Sequence, residues 1–121
     1  MSPVAAPPAL SPRTLRHAIT YPRLAADAYH VIEAGDTLAV INVPAGRTHV
    51  GRGFAADIEL DDPTISRRHA ILIRDETGVR ILDDRSENGV HVNGIPTTGC
   101  MLLDGDRIDL GRVRLRFILA S

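Results

Sequence analysis

The chain contains no lysine and no tryptophan, and only two phenylalanines and two tyrosines among 121 residues. Its 14 basic side chains are therefore all arginines, planar guanidinium forks that bind carboxylates and phosphates through two parallel hydrogen bonds. Scarce aromatics leave no row of rings on which nucleic-acid bases would stack. A formal net charge of -1 supplies no global field to draw nucleic acid or anionic lipid, so any anion site has to be local. Cys100 is the only cysteine, which rules out an intrachain disulfide and fits a reducing compartment. No run approaches 18 apolar residues, and the opening "MSPVAAPPALSPR" lacks the charged start and apolar stretch of a secretory signal. A soluble cytoplasmic protein is expected.

The organisation of the chain changes once. Residues 1–24 include Pro3, Pro7, Pro8, Pro12 and Pro22 with alanine and serine between them, a composition that neither maintains a helix nor builds a core. This segment reads as a flexible tail, in which "TLRHAI" is too short to stand as a helix alone. A single domain is expected over residues 25–119, where short β-type runs alternate with turn signals such as Ala34-Gly35-Asp36, Glu76-Thr77-Gly78, Asn88-Gly89, Asn93-Gly94 and Asp104-Gly105. With no amphipathic helix of ten or more residues, the pattern predicts an all-β fold: an antiparallel β-sandwich of about 10–11 short strands. In "RVRLRFIL", Val113, Leu115 and Phe117 alternate with Arg112, Arg114 and Arg116. A period of two assigns the first set to the core and the second to water.

Three loop segments carry the chemistry. "HVGRGFAADIELDD" places Arg52 just after Gly51, "PTISRRHA" places Ser66 and Arg67 ahead of a strand, and "DDRSENGVHVNG" places Ser86, Glu87, Asn88 and Gly89 in a later loop. Loops joining alternate strands of a sandwich emerge at one end. Together they offer two guanidinium forks, a hydroxyl and an amide, a donor set matched to a phosphate with its charge of about -1.5 to -2 and three acceptor oxygens. Gly51 and Gly89 supply positive backbone dihedrals or close backbone approach. Catalytic readings fare worse. Ser66 and His69 stand three apart at a strand entrance with no nucleophile-elbow sequence. Asp104, Asp106 and Asp109 lack the twelve-residue ligand spacing of an EF-hand. No catalytic residue, metal site or cofactor is expected.

The order Gly51-Arg52, Ser66-Arg67-x-His69 and Ser86-x-Asn88-Gly89, with "DIELDD" between the first two and "VNG" after the third, resembles the forkhead-associated (FHA) domain of bacterial type, a phosphothreonine-peptide binding module. The resemblance covers roughly residues 25–119. It implies that Arg52, Ser66 and Arg67 contact the phosphate and that Asn88 hydrogen-bonds the peptide backbone beside it. It also implies that His69, Ser86, Gly51 and Gly89 are loop scaffold. Glu87 departs from the threonine of some members, and an acid there is expected to point away from the phosphate. The function implied is non-catalytic phosphothreonine-dependent binding in serine/threonine kinase signalling, the partner being a kinase or its substrate. The alternative is an FHA-like scaffold that holds an unphosphorylated protein against a sheet face. Arg68 and Arg74 are expected to be surface charges. Thr14 makes the tail a candidate ligand for its own domain, since the chain from Thr14 to residue 25 spans up to roughly 36 Å.

Overall fold

Alternating side chains are what shape the C-terminal strand. In a computed structural model that describes residues 28–33 and 40–120, β11 (Val113–Ala120) buries Val113, Leu115 and Phe117 and exposes Arg112, Arg114 and Arg116 on either side of them. The same rule runs through its neighbours. β10 (Arg107–Leu110) buries Ile108 and Leu110, and β7 (Val90–Val92) buries Val90 and Val92. On the other sheet, β5 (Ala70–Asp75) buries Ala70 and Leu72, and β6 (Gly78–Asp83) buries Val79 and Ile81. Each valine, leucine, isoleucine or phenylalanine so removed from water contributes about 1.5–3 kcal/mol before chain entropy is set against it.

The remaining strands are β1 (Ala28–Glu33), β2 (Val40–Asn42), β3 (Gly46–Gly51), β4 (Ile58–Glu59), β8 (Ile95–Thr97) and β9 (Gly99–Met101). Eleven strands among the described residues thus form two sheets, ordered β2-β1-β11-β10-β7-β8 and β4-β3-β5-β6-β9. The apolar faces of both sheets join in one cluster, in which Phe117 is the single aromatic. Pairing is antiparallel except between β3 and β4, where Val50 lies beside Ile58 in parallel register. Two short strands were invisible to the alternation rule. β8 and β9 are three residues each, β8 carries Pro96, and neither has a fully buried residue. Asn93-Gly94 closes the β7–β8 hairpin with φ of 53° and 82°, the positive pair that a two-residue type I′ turn needs. Asn88-Gly89, which carries the same dipeptide signal, closes no hairpin; it lies in the loop that enters β7.

Register places the loops. Val50 pairs with Ala70 and Ala70 with Asp83, so the end of β3, the start of β5 and the end of β6 are level. In the facing sheet Val90 pairs with Leu110 and Leu110 with Val113, which levels the start of β7 with the β10–β11 turn. The two rows meet where the Arg112 N–H donates to Thr64 Oγ1 at 3.0 Å. The loops leaving β3, β4 and β6 are thereby gathered at one end of the sandwich. The proline-rich tail with Thr14 and Thr20, and the Ala34-Gly35-Asp36 turn, lie outside the described residues.

Candidate functional site

Gly51 starts the site by the space it leaves. A Cβ at Gly51 would stand 2.0 Å from the carbonyl oxygen of Arg67, far inside van der Waals contact, so only glycine lets the two loop backbones touch. The contact is secured by the Arg52 N–H, which donates to the Ser66 carbonyl at 3.0 Å, and by the His69 N–H, which donates to Val50 at 3.0 Å. Arg52 also donates through Nε to the Ile65 carbonyl at 3.0 Å. This bond fixes the stem of the side chain and leaves the two terminal amino groups available to an anion.

His69 joins the second loop to the third. It is completely buried. Its Nδ1 accepts the Ser66 N–H at 3.1 Å, so the ring proton sits on Nε2, which donates to the Gly89 carbonyl at 2.8 Å. Ser66 then reaches across by its hydroxyl, whose oxygen accepts the Glu87 N–H at 2.9 Å. Ser86 braces the same turn, its Oγ accepting the Gly89 N–H at 2.9 Å while its own N–H donates to Asp83. Gly89 has φ of 81°, a conformation costly to most other residues. Asn88 donates from Nδ2 to the Thr64 carbonyl at 2.8 Å, which leaves its side-chain oxygen as an acceptor for a peptide N–H. The Glu87 side chain is exposed.

Arg67 is exposed and, among the described residues, makes no ion pair. It stands between two open depressions. One, of about 430 Å³, is lined by Ser66, Arg67, Arg68, Asp84 and Arg85; the other, of about 560 Å³, has Arg52 and Arg67 in its wall. Arg67 lines both depressions, beside Ser66 in the first and Arg52 in the second, and Gly51, His69, Ser86 and Gly89 hold the loops that carry them. Asn88 lines neither depression and stands to the side, held by Thr64.

Sequence reasoning passed over a second layer of this site. Asp62 Oδ1 accepts both the N–H and the hydroxyl of Thr64, at 2.8 and 2.6 Å, and Oδ2 accepts Arg112 Nε at 2.9 Å. Partial burial alone would raise the Asp62 carboxyl. The hydrogen bonds from Thr64 and Arg112, with the Arg112 charge, outweigh it and hold the group below its usual value. The signal was present in "DPT", since aspartate two residues before threonine is an Asx-turn pattern. Arg85, with φ of 60°, had no such signal. Arg68 pairs with Asp84 at 3.2 Å on the surface. Arg74, expected as a surface charge, is half-buried and donates to the Val43 carbonyl at 2.7 Å, because its long stem reaches across to a carbonyl outside the strand ladder.

The other candidate groups are occupied by the protein itself. Asp104 accepts the Leu119 N–H, Asp106 accepts from Asn93 and Leu103, and Asp109 sits between Arg107 and Arg114. Partial burial pushes the Cys100 thiol up, the Asp106 charge adds to this, and a Thr97 hydrogen bond opposes it. Its reactive thiolate is correspondingly scarce. Among the described residues no helix is long and apolar enough to cross a membrane.

These features coincide with known proteins. A family profile described as the inner membrane component of T3SS, cytoplasmic domain, matches residues 30–121. The chain belongs to this family, and its fold is that of the forkhead-associated domain. It is 42% identical over 71 residues to an oxoglutarate dehydrogenase inhibitor of Corynebacterium diphtheriae, covering 59% of this chain and 50% of that one. It is 39% identical over 71 residues to the glycogen accumulation regulator GarA of Mycobacterium tuberculosis, covering 59% and 44%. The chain thus spans about half the length of these relatives. Among solved structures, one from a study of phosphothreonine-dependent FHA domain interactions aligns with TM-score 0.75 and 28% identity, over 78% of this chain and 98% of the other. The FhaA FHA domain complexed with the intracellular domain of Rv3910 aligns with TM-score 0.71 and 29% identity, over 74% and 98%.

Proposed function

We propose that this chain is a non-catalytic reader of phosphothreonine, an adaptor in serine/threonine kinase signalling that binds a phosphorylated kinase or kinase substrate. The observation that carries this reading is the main-chain bond from Arg52 to Ser66, which holds these two residues on adjoining loops with Arg67 next in the chain. A tetrahedral dianion is the ligand such donors serve best. Arg52, Ser66 and Arg67 hold the phosphate, and Asn88 holds the peptide backbone. Gly51, His69, Ser86 and Gly89 keep the three loops in place. Nothing in this arrangement cleaves or transfers a bond, since the buried imidazole has both nitrogens engaged by main chain. The regulatory names of the relatives and the phosphothreonine dependence in the neighbouring structure support the same reading. The binding unit is residues 25–119, and it acts in the cytoplasm, where a single thiol needs no partner.

The test is calorimetric titration of the domain with a phosphothreonine peptide and with the same peptide unphosphorylated. Saturable binding of the first only is expected. Arg52→Ala should weaken it by roughly tenfold or more, because a hydrogen bond to a charged group contributes about 1.5–3 kcal/mol. Equal binding of both peptides would overturn the reading.

A further inference from the structure

The outer face of the six-stranded sheet holds more positive charge than its own carboxylates offset. Arg114 and Arg116 stand at outward positions of β11 with Arg112 at its entrance, and Arg107 stands beside them on β10. Among the described residues, two carboxylates, Asp62 and Asp109, pair with these four guanidinium groups. Arg112 Nε meets Asp62 and Arg114 Nε meets Asp109, each at 2.9 Å. Both bonds run through Nε, so they fix the stems and leave the terminal amino groups to another acceptor. Arg107 Nε lies 3.3 Å from Asp109 without forming a hydrogen bond. Arg116 has no carboxylate partner among the described residues and donates to the Gly105 carbonyl at 2.8 Å. Register adds a cost, since Arg107 lies directly opposite Arg116 on the adjacent strand, and like charges so placed destabilise a sheet.

We propose that this face is a second docking surface, separate from the phosphate cradle, and that it takes an extended acidic segment of a partner protein. Charge and spacing both fit. Outward side chains on one strand recur about every 6.5–7 Å. An extended partner segment has the same repeat, so carboxylates at its alternate positions meet Arg112, Arg114 and Arg116 in turn. Guanidinium forks bind carboxylates through paired hydrogen bonds, and on Arg112 and Arg114 the groups that do so are the ones left over. A depression of about 520 Å³, with His91, Asp109, Arg112 and Arg114 in its wall, receives the incoming side chains. Nucleic acid fits this face worse. Asp109 lies in the middle of it, between His91 and Arg114 in cross-strand register, where a continuous run of phosphates would be repelled. β7 and β10 carry no aromatic residue, and Phe117 of β11 is in the core, so no ring is offered to a base.

The experiment titrates a short unphosphorylated peptide of alternating glutamate and threonine into the protein at low ionic strength, with backbone amide NMR shifts as the readout. Wild type should show saturable shifts on β7, β10 and β11 that weaken as salt is added. The double variant Arg114→Thr, Arg116→Thr should bind the peptide roughly fivefold or more weakly, as the loss of two exposed ion pairs implies, and should bind a phosphothreonine peptide as wild type does. Arg52→Ala should leave the glutamate peptide's affinity unchanged. Because threonine suits a strand and the Arg107–Arg116 opposition is removed, the double variant should melt no lower than wild type. A markedly lower melting temperature would assign these arginines to the fold and overturn the proposal. Shifts confined to the loops around Arg52 and Arg67, no saturable binding, or equal affinity in the double variant would overturn it too. Tighter binding of a short DNA duplex to the same strands would replace the acidic protein segment with nucleic acid. None of these outcomes touches the phosphothreonine reading, which stands or falls on its own titration.

Discussion

The Nε2 atom of His69 lies 2.8 Å from the carbonyl oxygen of Gly89, twenty residues further along the chain. On its other side the same ring accepts from Ser66. One buried imidazole therefore fixes the separation between the loop that enters β5 and the loop that enters β7.

Replacing it should be costly to the fold as well as to binding. His69→Ala removes a fully buried ring and leaves the Ser66 N–H and the Gly89 carbonyl unpaired, which predicts a loss of about 2–5 kcal/mol. Urea denaturation checks it. A midpoint equal to that of wild type would show that the ring does not hold the loops.

Gly51→Ala tests the close approach of the first two loops. The added Cβ meets backbone, not a side chain that could swing away, so the β3 end and the Arg67 segment must separate. A loss of about 1–3 kcal/mol is expected from overpacking, together with weaker phosphopeptide binding because Arg52 and Ser66 move apart. Thermal melting and titration of the same sample read both effects.

Asp62 gives the loop scaffold an acid limit. Its folded-state carboxyl is held below the ordinary value of 3.8, so the unfolded chain takes up a proton first as pH falls. The stabilisation from Asp62 is complete well above 3.8 and is lost progressively below it, as pH falls toward and through the lowered folded value. Asp62→Asn should be less stable than wild type at neutral pH, with the gap closing in acid. Denaturation midpoints from pH 7 down to pH 3 measure it; a gap independent of pH would remove the carboxylate charge from the explanation.

Thr48 offers a change in the opposite direction. It is buried in β3, and its hydroxyl oxygen has no hydrogen-bond partner among the described residues. Thr48→Val keeps the branched shape and removes the unpaired hydroxyl, which predicts a gain of about 1 kcal/mol. A lowered melting temperature would mean that the hydroxyl is satisfied in solution.

What could be read in the sequence follows from how local each signal is. The core face of β11 was legible because Val113, Leu115 and Phe117 obey a period of two that needs no knowledge of neighbours. β8 and β9 were not, since three-residue strands with exposed side chains carry no period, and their existence depends on the strands beside them. The parallel β3–β4 pairing is a tertiary choice made by two residues. Among the candidate site residues, Arg52, Ser66, Arg67 and Asn88 were singled out by spacing and family likeness. The Asp62–Thr64–Arg112 brace did not, because its third member is fifty residues away.

The pairing of the first strand with the last has a practical consequence for engineering. Ala28 faces Ala120 across the β1–β11 ladder, and β11 begins beside the candidate binding loops, so the start of the first described strand and the end of the last lie side by side at the opposite pole. Paired Cα atoms in such a ladder are only about 4.5–5.5 Å apart. A short linker could therefore join the ends and the chain be reopened at the β5–β6 turn, far from the phosphate cradle. Such a circular permutant, or a fusion through either end, should leave the peptide-binding face unobstructed.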